Sequence, residues 1–127
     1  MREILFRAKR SGKDEWVQGY LTKMWGMLHI IDENDENKAF VIDDETIGQF
    51  TGLTDKNGAK IFEGDIVQTL DDDIAVIQYD EEDAMYYLNN DNVLENFGIV
   101  SPKWLEIIGN IHDNPELLTG GTKWKDD

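Results

Sequence analysis

Two histidines and several clusters of carboxylates are the residues in this chain with the types and spacing to do chemistry. His112 stands beside Asp113, and a neighbouring carboxylate can hold an imidazole in one tautomer and make it a base. The other histidine, His29, shows no sequence relation to that pair. A base needs a nucleophile to activate, but Ser11 and Ser101 lie in turn-like contexts and no G-x-S-x-G occurs. The reading from these residues is no catalytic set and no enzyme.

Acids could instead hold a hard cation, which takes oxygen ligands. The candidates are Glu63 and Asp65 around Gly64, the triplet Asp71-Asp72-Asp73, the run Asp80-Glu81-Glu82-Asp83, and Asp32 to Lys38, DENDENK. The last resembles the start of an EF-hand loop. It has Asn37 where the sixth-position glycine belongs and Asp43 where the closing glutamate belongs, and strand-like residues flank it. No metal site is expected, nor a nucleotide or other cofactor, because neither G-x-x-x-x-G-K-[ST] nor G-x-G-x-x-G is present.

The bulk composition narrows the class further. The chain has 127 residues, 40% of them hydrophobic, a size and make-up that suit one domain with a buried core. It has no cysteine, so no disulfide framework and no thiolate chemistry are available. No apolar run approaches the roughly 20 residues that span a bilayer. The opening MREILFRAKR interrupts its short apolar run with charge, unlike a secretory leader. A protein kept in a reducing cytoplasm is the expectation. Twelve basic against 27 acidic residues give a net charge of -15, a field that repels nucleic acid and anionic lipid. Arg2, Arg7, Lys9, Arg10 and Lys13 are a local exception and read as solvated strand positions.

Short strand-like runs separated by turn-formers fill most of the chain. Strands are expected at Glu3–Ala8, Trp16–Leu21, Met24–Ile31, Lys38–Asp43, Ile61–Leu70, Ile74–Tyr79 and Ala84–Leu88. Polar or acidic turns divide them at Ser11–Asp14, Asp32–Lys38, Asp71–Asp73 and Asp80–Asp83. Helical grammar is scarce. Asn114-Pro115-Glu116 reads as a cap, a first helical position and an acidic first turn, giving about one turn before Gly120-Gly121. Asn89 to Phe97 suggests a second short helix, capped by Asp91 with Val93, Leu94 and Phe97 on one face. The predicted fold is mainly β, a strongly bent, barrel-like sheet with one or two short helices over residues 1–118. A tail at 119–127 is expected to be flexible.

The most patterned segment is TGLTDKNGAKIFEGDIV, residues 51–67. Asp55-Lys56-Asn57-Gly58 is hairpin-turn chemistry: Asp accepts hydrogen bonds from nearby backbone, and Asn-Gly adopts positive φ cheaply. Glu63-Gly64-Asp65 interrupts the following strand, as a bulge or bend does, and Asp65 can tie that bend to backbone amides. Thr51-Gly52-Leu53, Asp55 to Gly58 and Ile61 to Val67 together resemble the signature of the YopX family of phage and prophage proteins. Phe6-Arg7-Ala8 resembles that family's opening strand, and Leu105 to Leu118 its closing segment, so the resemblance runs in order over nearly the whole chain. It implies a small β-rich domain encoded by phages or prophages of mainly Gram-positive bacteria, with no established activity.

The functional expectation is a non-enzymatic phage accessory protein that works through protein–protein contact. It would show an acidic face to a basic host or phage partner and self-associate as a homo-oligomer. Trp124, between Lys123 and Lys125 in the tail, is a candidate contact residue. The alternative is a nucleic-acid-associated protein that uses the N-terminal basic strand.

Overall fold

Alternation of apolar and polar residues with frequent turn-formers leaves little room for helix, and strands dominate. The structure, a computed structural model, describes residues 3–89, 94–96 and 102–119. The chain divides into two compact units, Met1–Gly52 and Leu53–Asp127.

The first unit contains β1 (Phe6–Lys9), β2 (Trp16–Met24), β3 (Met27–Asp32), β4 (Ala39–Val41) and most of β5 (Gly48–Thr54), which runs across the division. β1 pairs antiparallel with β2 and β5, β2 with β3, and β3 with β4. One face of this sheet carries Ala8, Ile30 and Ile42, all buried, with Phe6, Val17, Leu21 and Leu28 packed against them. Gly19 in β2 is required by space: a Cβ there would lie 1.9 Å from the Ile31 carbonyl oxygen. Beyond β4 a single bridge joins Arg10 to Ile42, and Ser11 N donates to Val41 O at 2.9 Å while Asp43 N donates to Lys9 O at 2.8 Å.

The second unit adds β6 (Lys60–Phe62), β7 (Asp65–Gln68), β8 (Ile74–Asp80), β9 (Met85–Asn89), β10 (Leu94–Asn96), β11 (Glu106–Asn110) and one helical turn, α1 (Glu116–Thr119). β6 extends the first sheet beside β5, giving the order β4-β3-β2-β1-β5-β6; the second sheet runs β10-β9-β8-β7-β11. One cluster here joins Ile61, Val67, Ala75, Ile77, Leu88 and Leu105. Another joins Ile66 and Val76 to Leu118 of α1. Neighbouring residues of β7 and β8 alternate between the two clusters, as period-2 side chains must.

Three expectations from the sequence are corrected. Both sheets are open among the described residues: one isolated bridge, not a ladder, returns from β4 to the end of β1, so no closed barrel is found. The expected strand Met24–Ile31 is broken at Trp25-Gly26, where φ values of 51° and 76° form the two-residue turn between β2 and β3. Positive φ at both central residues matches the right-handed twist of a hairpin, and Trp at the first position hid the turn. The expected helix at Asn89 to Phe97 is strand where it is described, with Leu94 pairing Asn89 and Glu95 pairing Leu88. An isolated helical turn is marginal, whereas a ladder satisfies the same backbone groups; Asp91, Val93 and Phe97 lie outside the described residues. The helical turn expected after Asn114-Pro115 is present, opened by Leu117 N donating to Asn114 O at 3.0 Å. Among the described residues no helix is long and apolar enough to cross a membrane.

Replacing Gly19 with Ala should destabilise the protein more than Gly12→Ala. A Cβ at Gly12 meets nothing within 4 Å, and only its left-handed φ of 74° is strained, at a cost of about 1–2 kcal/mol. Denaturant midpoints of the two variants check the order, and equal losses would contradict it.

Candidate functional site

Residues 51–67 bury two of their three acids, Asp55 and Asp65. Thr51 is buried in β5, and exposed Gly52 takes a φ of 91° in the same strand. Asp55 follows β5 and is 5% exposed. Its Oδ1 accepts from Asn57 N at 2.8 Å and Ala59 N at 2.9 Å, closing the turn with Asn57 exposed and Gly58 at φ 85°. Its Oδ2 accepts from Ile107 N at 3.0 Å, 52 residues away on β11. Lys56 N donates to Leu105 O at 2.9 Å, so the turn lies along the outer edge of β11 like a short added strand. An edge left open offers unpaired amides to other chains; here the turn occupies this one.

The Asp55 carboxyl is held below its ordinary range. Burial pushes it up, but the N–H groups of Ile107, Ala59 and Asn57, with the Lys56 charge, favour the ionised form and outweigh burial. The exposed Lys56–Glu106 pair, 3.5 Å apart, adds little, as solvent screens it.

Asp65 opens β7 and is 1% exposed. Its Oδ2 accepts from Phe62 N at 2.7 Å across the Glu63-Gly64 bend. Gly64, at φ 94°, donates to Ile77 O and accepts from Ile111 N, so the bend is also fastened at the backbone. β6 before it belongs to the first sheet and β7 after it to the second. Glu63 is half-buried. Asn110 pairs with Asp65, and His112, two residues on, is exposed while Asp65 is buried. Among the described residues no group of three or more His, Asp or Glu is arranged to hold a metal ion.

The acidic loops use their carboxylates locally. Asp32 accepts from Asn34 N, Asp35 from Asn37 N, Asp43 from Glu45 N and Asp80 from Glu82 N, all between 2.7 and 3.1 Å. These are Asx turns, in which a carboxylate stands in for a backbone carbonyl. Asp71, Asp72 and Asp73 are exposed around a turn organised by the Thr69 hydroxyl.

Three of the N-terminal basic residues, Arg7, Lys9 and Arg10, are engaged. Lys9 Nζ meets Asp14 at 2.6 Å, and Arg10 meets Glu15 at 3.0 Å. Arg7 and Lys9 stack over Trp16, and Arg10 over Phe40. Arg2, Ser101 and Trp124 lie outside the described residues.

A patch of aligned, largely apolar rows on β2, β3 and β4 was not visible in the amino-acid pattern alone. Their register aligns Tyr20, Ile31 and Ala39, then Thr22, His29 and Val41, then Met24 and Met27, all opposite the core-facing side. His29 is buried there, its Nδ1 3.0 Å from Met27 O and its ring edge-on to Trp25 at 6.0 Å. Trp25 is 84% exposed, Tyr20 50%, Met27 48% and Val41 37%. Strand register, not periodicity alone, is what brings these residues together.

A family model described as YopX protein matches residues 5–119. Among solved structures, the chain is similar to the protein EF1440 of Enterococcus faecalis, at 24% identity and a TM-score of 0.55, covering 93% of this chain and 99% of that one. That similarity is one of fold. No curated protein matches the chain.

Replacing Asp55 with Asn keeps an acceptor for the turn but turns an amide donor toward Ile107 N, at a cost of about 1–3 kcal/mol. The folded pKa is depressed below the ordinary 3.8, so the carboxylate's contribution is present above that value and is lost as pH falls through the folded pKa. Urea titrations at neutral and acid pH should show the gap between wild type and Asp55→Asn narrowing as pH drops below about 4. A constant gap would contradict the assignment.

Proposed function

We propose, from the premise that this chain belongs to the YopX protein family, that it is a non-enzymatic accessory protein of phages or prophages that acts by contact with a basic protein. The distribution of its carboxylates supports this reading. Asp55 and Asp65, the chemically suggestive acids, are buried and occupied by backbone amides. Six exposed acids lie on two hairpin turns, Asp71 to Asp73 between β7 and β8 and Glu81 to Asp83 between β8 and β9; a further exposed group is Asp43, Asp44 and Glu45. Residues 53–127 hold 17 acids against 5 bases, while residues 1–52 hold 10 against 7. Such a field speeds encounter with a positively charged partner and falls off with salt.

Nucleic acid fits less well. Binding a phosphate backbone needs cations free to displace counterions, and Lys9 and Arg10 are paired with Asp14 and Glu15.

Affinity capture from host lysate at low and high salt tests the reading, with a companion variant carrying Asn at Asp71, Asp72, Asp73 and Asp83 and Gln at Glu81 and Glu82. The expected result is a basic protein retained at low salt, released at high salt and lost in the variant. Absence of any salt-sensitive partner, or a steep salt-dependent affinity for duplex or single-stranded DNA, would contradict it.

A further inference from the structure

We propose that Asn57 is a self-modification site: the Gly58 backbone nitrogen displaces its carboxamide when the hydrogen bonds to Asp55 open, and the isoaspartyl linkage that results releases the edge of β11. The inference is independent of the protein-contact reading and concerns the turn at Asp55 to Gly58. Asn57-Gly58 is the sole Asn-Gly in the chain. A glycine nitrogen closes readily on a preceding asparagine Cγ because no Cβ crowds it. Every other asparagine precedes a residue with a side chain, and Asn114 precedes a proline, which has no N–H. Asn57 and Gly58 are both exposed, and a Cβ added at Gly58 would meet nothing within 4 Å, so water has access to the turn.

The reaction balances with water as its one co-reactant. The deprotonated Gly58 nitrogen bonds to Asn57 Cγ, the Cγ–Nδ2 bond breaks, and ammonia leaves. Water then opens the succinimide ring. Opening at Cγ gives an ordinary aspartyl residue; opening at the backbone carbonyl carbon leaves the main chain running through the side chain, one methylene longer. The closed turn opposes the first step. Gly58 N donates to Asp55 O at 3.0 Å and Asn57 N to Asp55 Oδ1 at 2.8 Å, and attack requires Gly58 N to leave its bond and swing toward Cγ. The longer linkage opposes reclosure. Asp55 Oδ1 holds Asn57 N and Ala59 N on either side of the position that lengthens. Losing those two bonds frees the same carboxylate from Ile107 N, and the edge of β11 is left with an open amide.

Incubation of the full chain in mildly alkaline buffer, native and urea-unfolded, tests this, with peptide mapping by mass spectrometry that separates isoaspartyl from aspartyl products. In the unfolded chain Asn57 should convert ahead of every other asparagine. In the native chain it should convert at least about tenfold more slowly, since only the open population reacts. Asp55→Asn should raise the native rate towards the unfolded one. Gly12→Ala, which strains a turn elsewhere, should leave the rate unchanged, because the opening is local. Hydrogen exchange should find Ile107 unprotected in chains carrying the isoaspartyl linkage and still protected in Asn57→Asp, which has the new charge without the extra methylene. No conversion in the native chain, or a native rate equal to the unfolded one, would overturn the inference. So would earlier conversion of another asparagine in the unfolded chain, acceleration by Gly12→Ala as large as by Asp55→Asn, or an isoaspartyl chain with Ile107 still protected.

Discussion

One buried carboxylate joins two parts of the chain that are far apart in sequence. Asp55 receives two N–H groups of its own turn and one from Ile107, and Lys56 N completes the contact at Leu105 O. Buried charge is costly unless hydrogen bonds satisfy it, and three backbone amides do so here. The arrangement fixes the turn, closes the outer edge of β11 and, through β11, supports the ladder to β7. Asp65 makes a shorter-range bond of the same kind at the bend, where the chain leaves the strand beside β5 and enters the second sheet.

The same economy recurs on the surface. Asp32, Asp35, Asp43 and Asp80 each take the backbone N–H two residues on. Asn110 does likewise for His112, and its neighbour Asn114 accepts from Asn110 N. Part of the acidity of this protein is therefore turn chemistry, because Asp is among the residues that make tight reversals between short strands. Exposed acids, among them those on the turns at Asp71 to Asp73 and Glu81 to Asp83, add to the negative field of the surface.

Strand positions and their local turns could be read from the sequence because they depend on period-2 patterning and on side chains bonding within a few residues. The hairpin at Asp55 to Gly58 and the bend at Gly64 are of this kind. The bond from Asp55 to Ile107 could not be read, since nothing local marks a partner 52 residues on. Trp25 misled because an aromatic in an apolar run looks like strand, and only its φ of 51° shows a turn. Leu94 to Asn96 misled in the other direction: an amphipathic spacing fits a helical turn, but pairing with Tyr87 to Asn89 decided the outcome. The exposed apolar rows from Tyr20 to Val41 were hidden for a third reason, as they align only once β2, β3 and β4 are in register.

Native-state amide hydrogen exchange at Ile107 tests most directly the claim that a carboxylate from the 51–67 segment closes the edge of β11. Ile107 N has no strand partner on that side, so its protection depends on Asp55 Oδ2. The account predicts slow exchange at Ile107, Asn57 and Ala59, with all three opening together. Exchange at Ile107 as fast as at an exposed loop amide, while β7 stays protected, would contradict it.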